Sequence, residues 1–395
     1  MTAAATTARK PYAIYAITRH GVAIAARLAA ALPGAELLVP DKLRAGAPPD
    51  ARPLPLPIGP FLATAFPAYD CHIFVISVGA VVRLIAPLLV DKKTDPAVVC
   101  IDDDARFAIC VLSGHVGRGN AFTDRIAREL GAQPVITTAS DVRGTLTVDI
   151  LGRELGWQLD DPDRNVTRGC AAVVNAAPVA FIQETGEPSW WPLESALPEG
   201  VSYATSLDEV DPARHEVLLI ASDRELAASH PAHWANAVVY RPRSLVLGLG
   251  CDRGVPADLV WRGVTQLLAQ HGLSARSVKA IATIDVKRDE VAFLALSERT
   301  GWPIISYPAG ELDAVPGIAN PSDVVHRHVG TRGVAEPAAL LASGGGALIV
   351  PKQRYTEPDA GRSMTLAVAR IAFPSRRAAA PAAAPARAEA KEMTR

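Results

Sequence analysis

Aromatic side chains are scarce, with Phe, Trp and Tyr together making up 5% of the 395 residues. That leaves little to stack on nucleobases. No positive charge compensates, because 40 Lys and Arg stand against 41 Asp and Glu. Without a dense basic patch, nucleic acid is not an expected partner. No run of about 18 apolar residues is present, so no membrane span is expected. The segment MTAAATTARKPYAIYAIT lacks a long apolar core followed by a small-residue cleavage site, and does not read as a signal peptide. Cysteine is sparse: five residues, at 71, 100, 110, 170 and 251, with no Cys-x-x-Cys pair. Cys100 and Cys110 lie in apolar runs and suit small core residues in a reducing, cytoplasmic setting.

What the chain does have is the material for packed cores. Apolar residues make up 49% and charged residues 21%, and the length suits two or three domains. Tyr12 to Thr18 reads as a strand and Gly21 to Leu32 as a helix. The proline-rich stretch 45–60 reads as a loop or extended crossing. His72 to Ser77 is a strand, followed by a helix from Gly79 to Ile85. Ala97 to Ile101 and Phe107 to Leu112 read as a hairpin across the charged turn 102–106. A helix from Gly119 to Leu130, a strand from Pro134 to Thr137 and a helix from Val148 to Leu155 follow. This alternation predicts an open α/β sheet domain over 10–157. Residues 158–241, with short β-like runs and many turns, read as a small α/β or β-rich middle module. A second strand–loop–helix series opens at Leu245 to Leu249, giving a C-terminal α/β domain over 242–373. The Ala/Pro/Arg-rich tail 374–395 is expected to be disordered.

Residues 75–141 hold the densest unusual chemistry. The run Leu112-Ser113-Gly114-His115 takes an apolar strand into a hydroxyl, a glycine and an imidazole. Ser113 and His115 fit a catalytic hydroxyl and a general base. They equally fit a capped β-to-α turn with a surface histidine. Gly114, Gly117 and Gly119 permit close backbone approach to a ligand, ahead of a helix whose N-terminus faces the same way. Asp91-Lys92-Lys93-Thr94-Asp95-Pro96 offers lysines to an anionic substrate or oxyanion, or is a solvated loop. Arg83, in a largely apolar helix, is a candidate carboxylate fork unless it reaches to solvent. Thr137-Thr138-Ala139-Ser140-Asp141 puts hydroxyls and a carboxylate at a strand's C-terminal edge, where α/β proteins bind ligands. The same cluster also suits a helix cap.

Farther along, Gly248 to Gly254 is a candidate anion cradle. It lacks the dinucleotide fingerprint, so NAD is not expected. Cys251 is either a nucleophile or a plain apolar residue. Asp285, Lys287 and Glu290 read as a turn and helix start, and Glu336 as a cleft carboxylate or a cap. His326-Arg327-His328, His230 and His233 lack the companions of a metal site.

Together, Ser77 to Leu88, Asp91 to Val99, Leu112 to His115 and Pro134 to Ala139 resemble the cobalt-precorrin-5A hydrolase family, CbiG of cobalamin biosynthesis. Gly248 to Cys251, Lys279 to Lys287 and Val334 to Leu340 resemble its C-terminal part. The resemblance spans about residues 10–373. It implies a hydrolase that opens the δ-lactone of a cobalt-bearing tetrapyrrole and expels acetaldehyde. Cobalt then arrives inside the substrate, and no cofactor or metal ligand is implied for the protein. The acetate and propionate arms of such a corrinoid call for Arg, Lys and backbone N–H groups around a wide cleft.

From the chemistry required, His115 activates water, Lys92 or Lys93 steadies negative charge, and Ser113, Thr137 and Thr138 donate hydrogen bonds. Arg83 pairs with a carboxylate arm, and Gly114, Gly117, Asn120 and Asp141 complete the substrate-binding set. A homodimer and product handover to other cobalamin-pathway enzymes are compatible with this reading. The alternatives are a corrinoid-binding carrier without catalysis and a sensor of a small anion. The chain departs from the family pattern at Gly117-Arg118-Gly119-Asn120, where Gly-Gly-Ala-Asn is usual, and at Ser140, where Thr is commoner.

Overall fold

The computed structural model describes residues 9–138, 144–358 and 361–374. The tail expected to be disordered lies almost wholly outside them. The chain divides into two compact units, 1–150 and 151–395.

The first unit is built on a seven-stranded sheet. Its elements are β1 (Lys10–Ala16), α1 (Arg19–Ala31), β2 (Ala35–Val39), β3 (Arg52–Pro53), α2 (Ile58–Ala65), β4 (Tyr69–Val75), α3 (Val78–Ile85), β5 (Ala97–Ile101), β6 (Phe107–Leu112), α4 (Gly119–Leu130) and β7 (Gln133–Val135). The strand order is β3-β2-β1-β4-β5-β6-β7. The first five run parallel, while β6 pairs antiparallel to β5 and β7 follows β6.

Helices cover both faces, which is why the buried stretches of the central strands are apolar on both sides, His72 of β4 apart. Tyr12, Ile14, Ile73 and Val99 meet α1 and α4 through Leu28 and Ile126. Their alternates Ala13, Tyr15, Phe74 and Val98 meet α2 and α3 through Leu62 and Val81. Asp102 shapes the turn of the expected hairpin, its Oδ1 accepting the Phe107 N–H at 2.7 Å.

Two local expectations are corrected. The stretch 45–60 is not all loop, because α2 starts at Ile58 with Pro60 in its first turn, where proline costs no hydrogen bond. The helix expected from Val148 to Leu155 is absent, and only Arg153–Leu155 makes a short 3-10 turn. Gly152 takes a left-handed φ of +73°, and a Cβ there would sit 2.2 Å from the Trp157 ring. Packing of that indole therefore overrides helix propensity.

The second unit holds two five-stranded sheets. One has the order β10-β9-β11-β12-β8, from β8 (Gln158–Leu159), β9 (Val179–Gln183), β10 (Val201–Ala204), β11 (Val217–Ala221) and β12 (Ala237–Arg241). All but β8 are parallel. The other has the order β15-β14-β13-β17-β16, from β13 (Leu245–Cys251), β14 (Val278–Ile284), β15 (Ile304–Tyr307), β16 (Ala347–Thr356) and β17 (Ser363–Arg370). Helices Ala257–Gln270 and Val291–Thr300 cover one face of this second sheet. Helix Ala335–Ala342 presses on the other, close enough that a Cβ on Gly248 would lie 1.8 Å from the Ala335 carbonyl oxygen.

Candidate active site

Strand direction decides where the candidate residues gather. Because β6 is antiparallel to β5, Leu112 pairs with Val98, next to the start of β5. The turn 113–119 therefore leaves the sheet at the edge where β4 and β5 begin. β7 runs with β6, so Thr137 and Thr138 emerge at the same edge. The segment before β5, residues 91–96, lies there too. These loops do follow the C-terminal ends of their own strands. The edge is nevertheless opposite to the one from which the parallel strands β1 and β4 deliver their helices.

The turn 113–119 is tight and self-bonded. The N–H groups of Gly119 and Asn120 donate to the carbonyls of Ser113 (2.9 Å) and Gly114 (3.0 Å), and that of Arg118 to His115 (2.8 Å). The first two N–H groups of α4 are thus spent on the turn itself, not held open for an anion. Ser113 and Arg118 both adopt left-handed backbone, with φ of +55° and +63°. Gly117 is required by crowding, since a Cβ would meet Ser113 Cβ at 2.5 Å. The Ser113 hydroxyl is buried and has no hydrogen-bond partner among the described residues. Asn120, 8% exposed, donates from Nδ2 to Thr138 Oγ1 at 2.8 Å. The same Asn120 side chain lies against Gly114.

Segment 91–96 abuts this turn: the Asp95 carbonyl oxygen lies 3.3 Å from where a Gly117 Cβ would be. Asp95 is 8% exposed, and its carboxylate accepts the Val90 N–H. Asp91 accepts the Lys93 N–H at 2.8 Å. Two carboxylates thus fold the loop and leave Lys92 exposed at its tip, with Lys93 half-buried behind it.

The relationship that sequence patterning missed is between His115 and Asp149. His115 Nδ1 lies 3.4 Å from Asp149 Oδ1, with the two side chains 19% and 23% exposed. Asp149 follows the buried Leu146 and Val148. A lone carboxylate in the apolar run 146–150 was the available signal.

Other candidates are placed elsewhere. Arg83 folds back along α3, its Nη1 donating to the Gly79 carbonyl at 2.9 Å. That holds its guanidinium by the first turn of α3, at the opposite edge of the sheet from Ser113 and His115. Thr137 is exposed. Asp141 lies outside the described residues. His115, Ser113, Lys92, Lys93, Gly114, Gly117, Asn120, Thr137 and Thr138 are thus brought to one edge, and Arg83 is not.

In the second unit, the candidate cradle at 248–254 is strand as far as Cys251, followed by a loop through Gly254. Burial pushes the Cys251 thiol up to about 11, which suits a packed residue and not a nucleophile. Glu290 is 2% exposed and binds the Gly254 N–H and Lys287 Nζ. Glu336, also 2% exposed, accepts from Asn320 Nδ2 and from the Asn320 and Lys352 N–H groups. Burial alone would raise its carboxyl, but those bonds hold it below the usual range. It ties the turn at Asn320 to β16.

Comparison with known proteins covers the length of the chain. Residues 60–141 match the family model described as cobalamin synthesis G N-terminal, 146–242 the cobalamin biosynthesis central region, and 245–369 the cobalamin synthesis G C-terminus. The chain is 39% identical to the cobalt-precorrin-5A hydrolase of Priestia megaterium over 93% of its length and 96% of that relative. To the Salmonella typhimurium cobalt-precorrin-5A hydrolase it is 32% identical, over 90% of this chain and 97% of the relative. A solved structure of a cobalamin biosynthesis protein G homologue from Sulfolobus solfataricus matches at 19% identity. It covers 92% of this chain and 97% of that one, with a TM-score of 0.35. With all three family models matched in order and relatives above 30% identity end to end, the chain belongs to the cobalt-precorrin-5A hydrolase (CbiG) family.

Proposed function

We propose that this chain is a hydrolase of cobalamin biosynthesis that opens the δ-lactone of cobalt-precorrin-5A and releases acetaldehyde, leaving cobalt-precorrin-5B. The observation that carries this reading is the end-to-end identity of 39% with a relative of that name. Cobalt belongs to the substrate.

Ring opening adds one water across the acyl C–O bond, yielding a carboxylate and a carbinol. The carbinol carbon then departs with its methyl group as the aldehyde. Its hydroxyl gives up a proton, and the electrons of the breaking C–C bond return to the macrocycle, which takes up a proton. His115 takes the proton from the attacking water. Lys92 faces the charge that develops on the acyl oxygen. Asn120 and Thr138, bonded to each other, brace the turn that carries His115. Next to Lys92, Leu89 and Val90 are 44% and 86% exposed, an apolar surface that suits the face of a macrocycle whose carboxylate arms reach the lysines.

The test is to incubate the purified full chain with cobalt-precorrin-5A and measure acetaldehyde. Stoichiometric release, slowed at least a hundredfold by His115→Ala with little change in KM, is expected. A spectral shift of the corrinoid without acetaldehyde would show a carrier instead. Full turnover by the variant would remove His115 from the chemistry.

A further inference from the structure

We infer that Asp149 is the positioning residue for His115. It fixes the imidazole with its proton on Nδ1, so that Nε2 carries the lone pair that meets water. The inference rests on the hydrolase reading for its chemical purpose, but its geometry stands apart from that reading.

Asp149 Oδ1 is buried, yet no hydrogen bond satisfies it among the described residues. Its polar neighbour across the site is His115 Nδ1, at 3.4 Å. A carboxylate oxygen withdrawn from water needs a proton donor. An imidazole answers that need only by presenting an N–H, and the atom facing Asp149 is Nδ1. Which ring nitrogen is basic is set by the hydrogen bond that the other one makes. With Nδ1 held as donor, Nε2 is the basic nitrogen. Because the two ring nitrogens point in different directions, it is aimed away from Asp149. The 3.4 Å separation is long for a hydrogen bond, as such contacts often are before substrate binds, and it closes as Nε2 takes a proton and the ring becomes cationic.

The support behind Asp149 is stiff. Leu146 and Val148, 1% and 0% exposed, anchor its segment in the core. His115 sits in a turn closed by three backbone hydrogen bonds. Both partners are therefore held by packing that does not depend on their own contact. Unsatisfied buried polar atoms concentrate here as well: the Ser113 and Thr145 hydroxyls are likewise buried without partners among the described residues. Native proteins tolerate such costs chiefly where function requires them.

The experiment uses the full-length protein and two readouts. Nitrogen NMR of protein labelled at histidine, with His115 assigned by its loss in His115→Gln, reports the tautomer without any substrate. Acetaldehyde release from cobalt-precorrin-5A reports kcat and KM. For Asp149→Asn we expect the Nδ1–H tautomer of His115 to be lost and kcat to fall about a hundredfold. KM should change less than threefold, and Asp149→Glu should recover part of the loss. A His115 signal and a kcat that are both unchanged in Asp149→Asn would overturn the inference. If wild-type protein releases no acetaldehyde while the tautomer still shifts in Asp149→Asn, the pairing stands and the reaction assignment fails.

Discussion

Asp223 grips Arg370 through two parallel hydrogen bonds, each 2.7 Å, across 147 positions of sequence. Asp223 follows β11 of one sheet and Arg370 ends β17 of the other, so the fork ties together the two sheets of the second unit. Asp223 also accepts from the Ser244 hydroxyl at 2.8 Å and is 2% exposed. Removing Arg370 would strand a buried carboxylate. Arg370→Ala should therefore cost about 3 kcal/mol, the low end for breaking a buried ion pair, because the arginine side is 34% exposed. A urea midpoint that moves by less than the change expected from about 1 kcal/mol would show the fork to be dispensable.

Acid should unfold the first unit in two windows. Burial alone would raise Glu36, but hydrogen bonds from Lys10, Tyr69 and Arg52 hold it down at about 2. Unfolded, it titrates near 4.5, so its contribution is complete above that pH and is lost as pH falls toward 2. His72 acts from the other side. Burial pushes it down to about 4 from an ordinary 6.5, between the Tyr15 hydroxyl and the Phe66 carbonyl. The unfolded chain therefore takes up a proton that the native state refuses, and stability falls between pH 6.5 and 4. Denaturant midpoints measured against pH should lose the lower window in Glu36→Gln and the upper one in His72→Gln. Unchanged profiles would contradict both assignments.

Lys92 and Arg83 provide a test of which edge of the first sheet carries the chemistry. Lys92 sits at the edge with His115, and Arg83 is bonded back to Gly79 at the other. Lys92→Gln should lower kcat about a hundredfold, the usual cost of losing one oxyanion partner. Arg83→Gln should leave kcat within about twofold, with any effect confined to KM. The reverse pattern would move the reacting lactone to the opposite edge.

Arg118 occupies a left-handed position, φ +63°, the conformation that glycine adopts most cheaply, and its guanidinium lies over the Phe122 ring at 5.8 Å. Left-handed backbone costs a residue with a side chain roughly 1 kcal/mol. The cation–π contact returns only part of that at an exposed site. Arg118→Gly should raise the melting temperature by a few degrees if kept as a single change. A drop would mean that the arginine's own contacts outweigh the strain.

Local pattern was enough to reveal an α/β chain, most strand and helix positions, the hairpin at 97–112, and the motifs of the cobalt-precorrin-5A hydrolase family. These follow from side-chain period, turn chemistry and burial, which act between neighbours and are written in the order of residues. Where that order conflicts with packing it misleads, as at 148–155, where the Trp157 indole and the left-handed Gly152 displace the expected helix. The hairpin reading already made β6 antiparallel to β5, but only the folded sheet set β7 alongside β6, so that Thr138 meets the Ser113 turn, and folded the Arg83 guanidinium back to Gly79 at the other edge. The meeting of His115 with Asp149 likewise needed the folded sheet. Thirty-odd residues separate them, and nothing local couples a turn after one strand to a carboxylate beyond the next. Such contacts depend on strand order and direction, which are properties of the whole sheet.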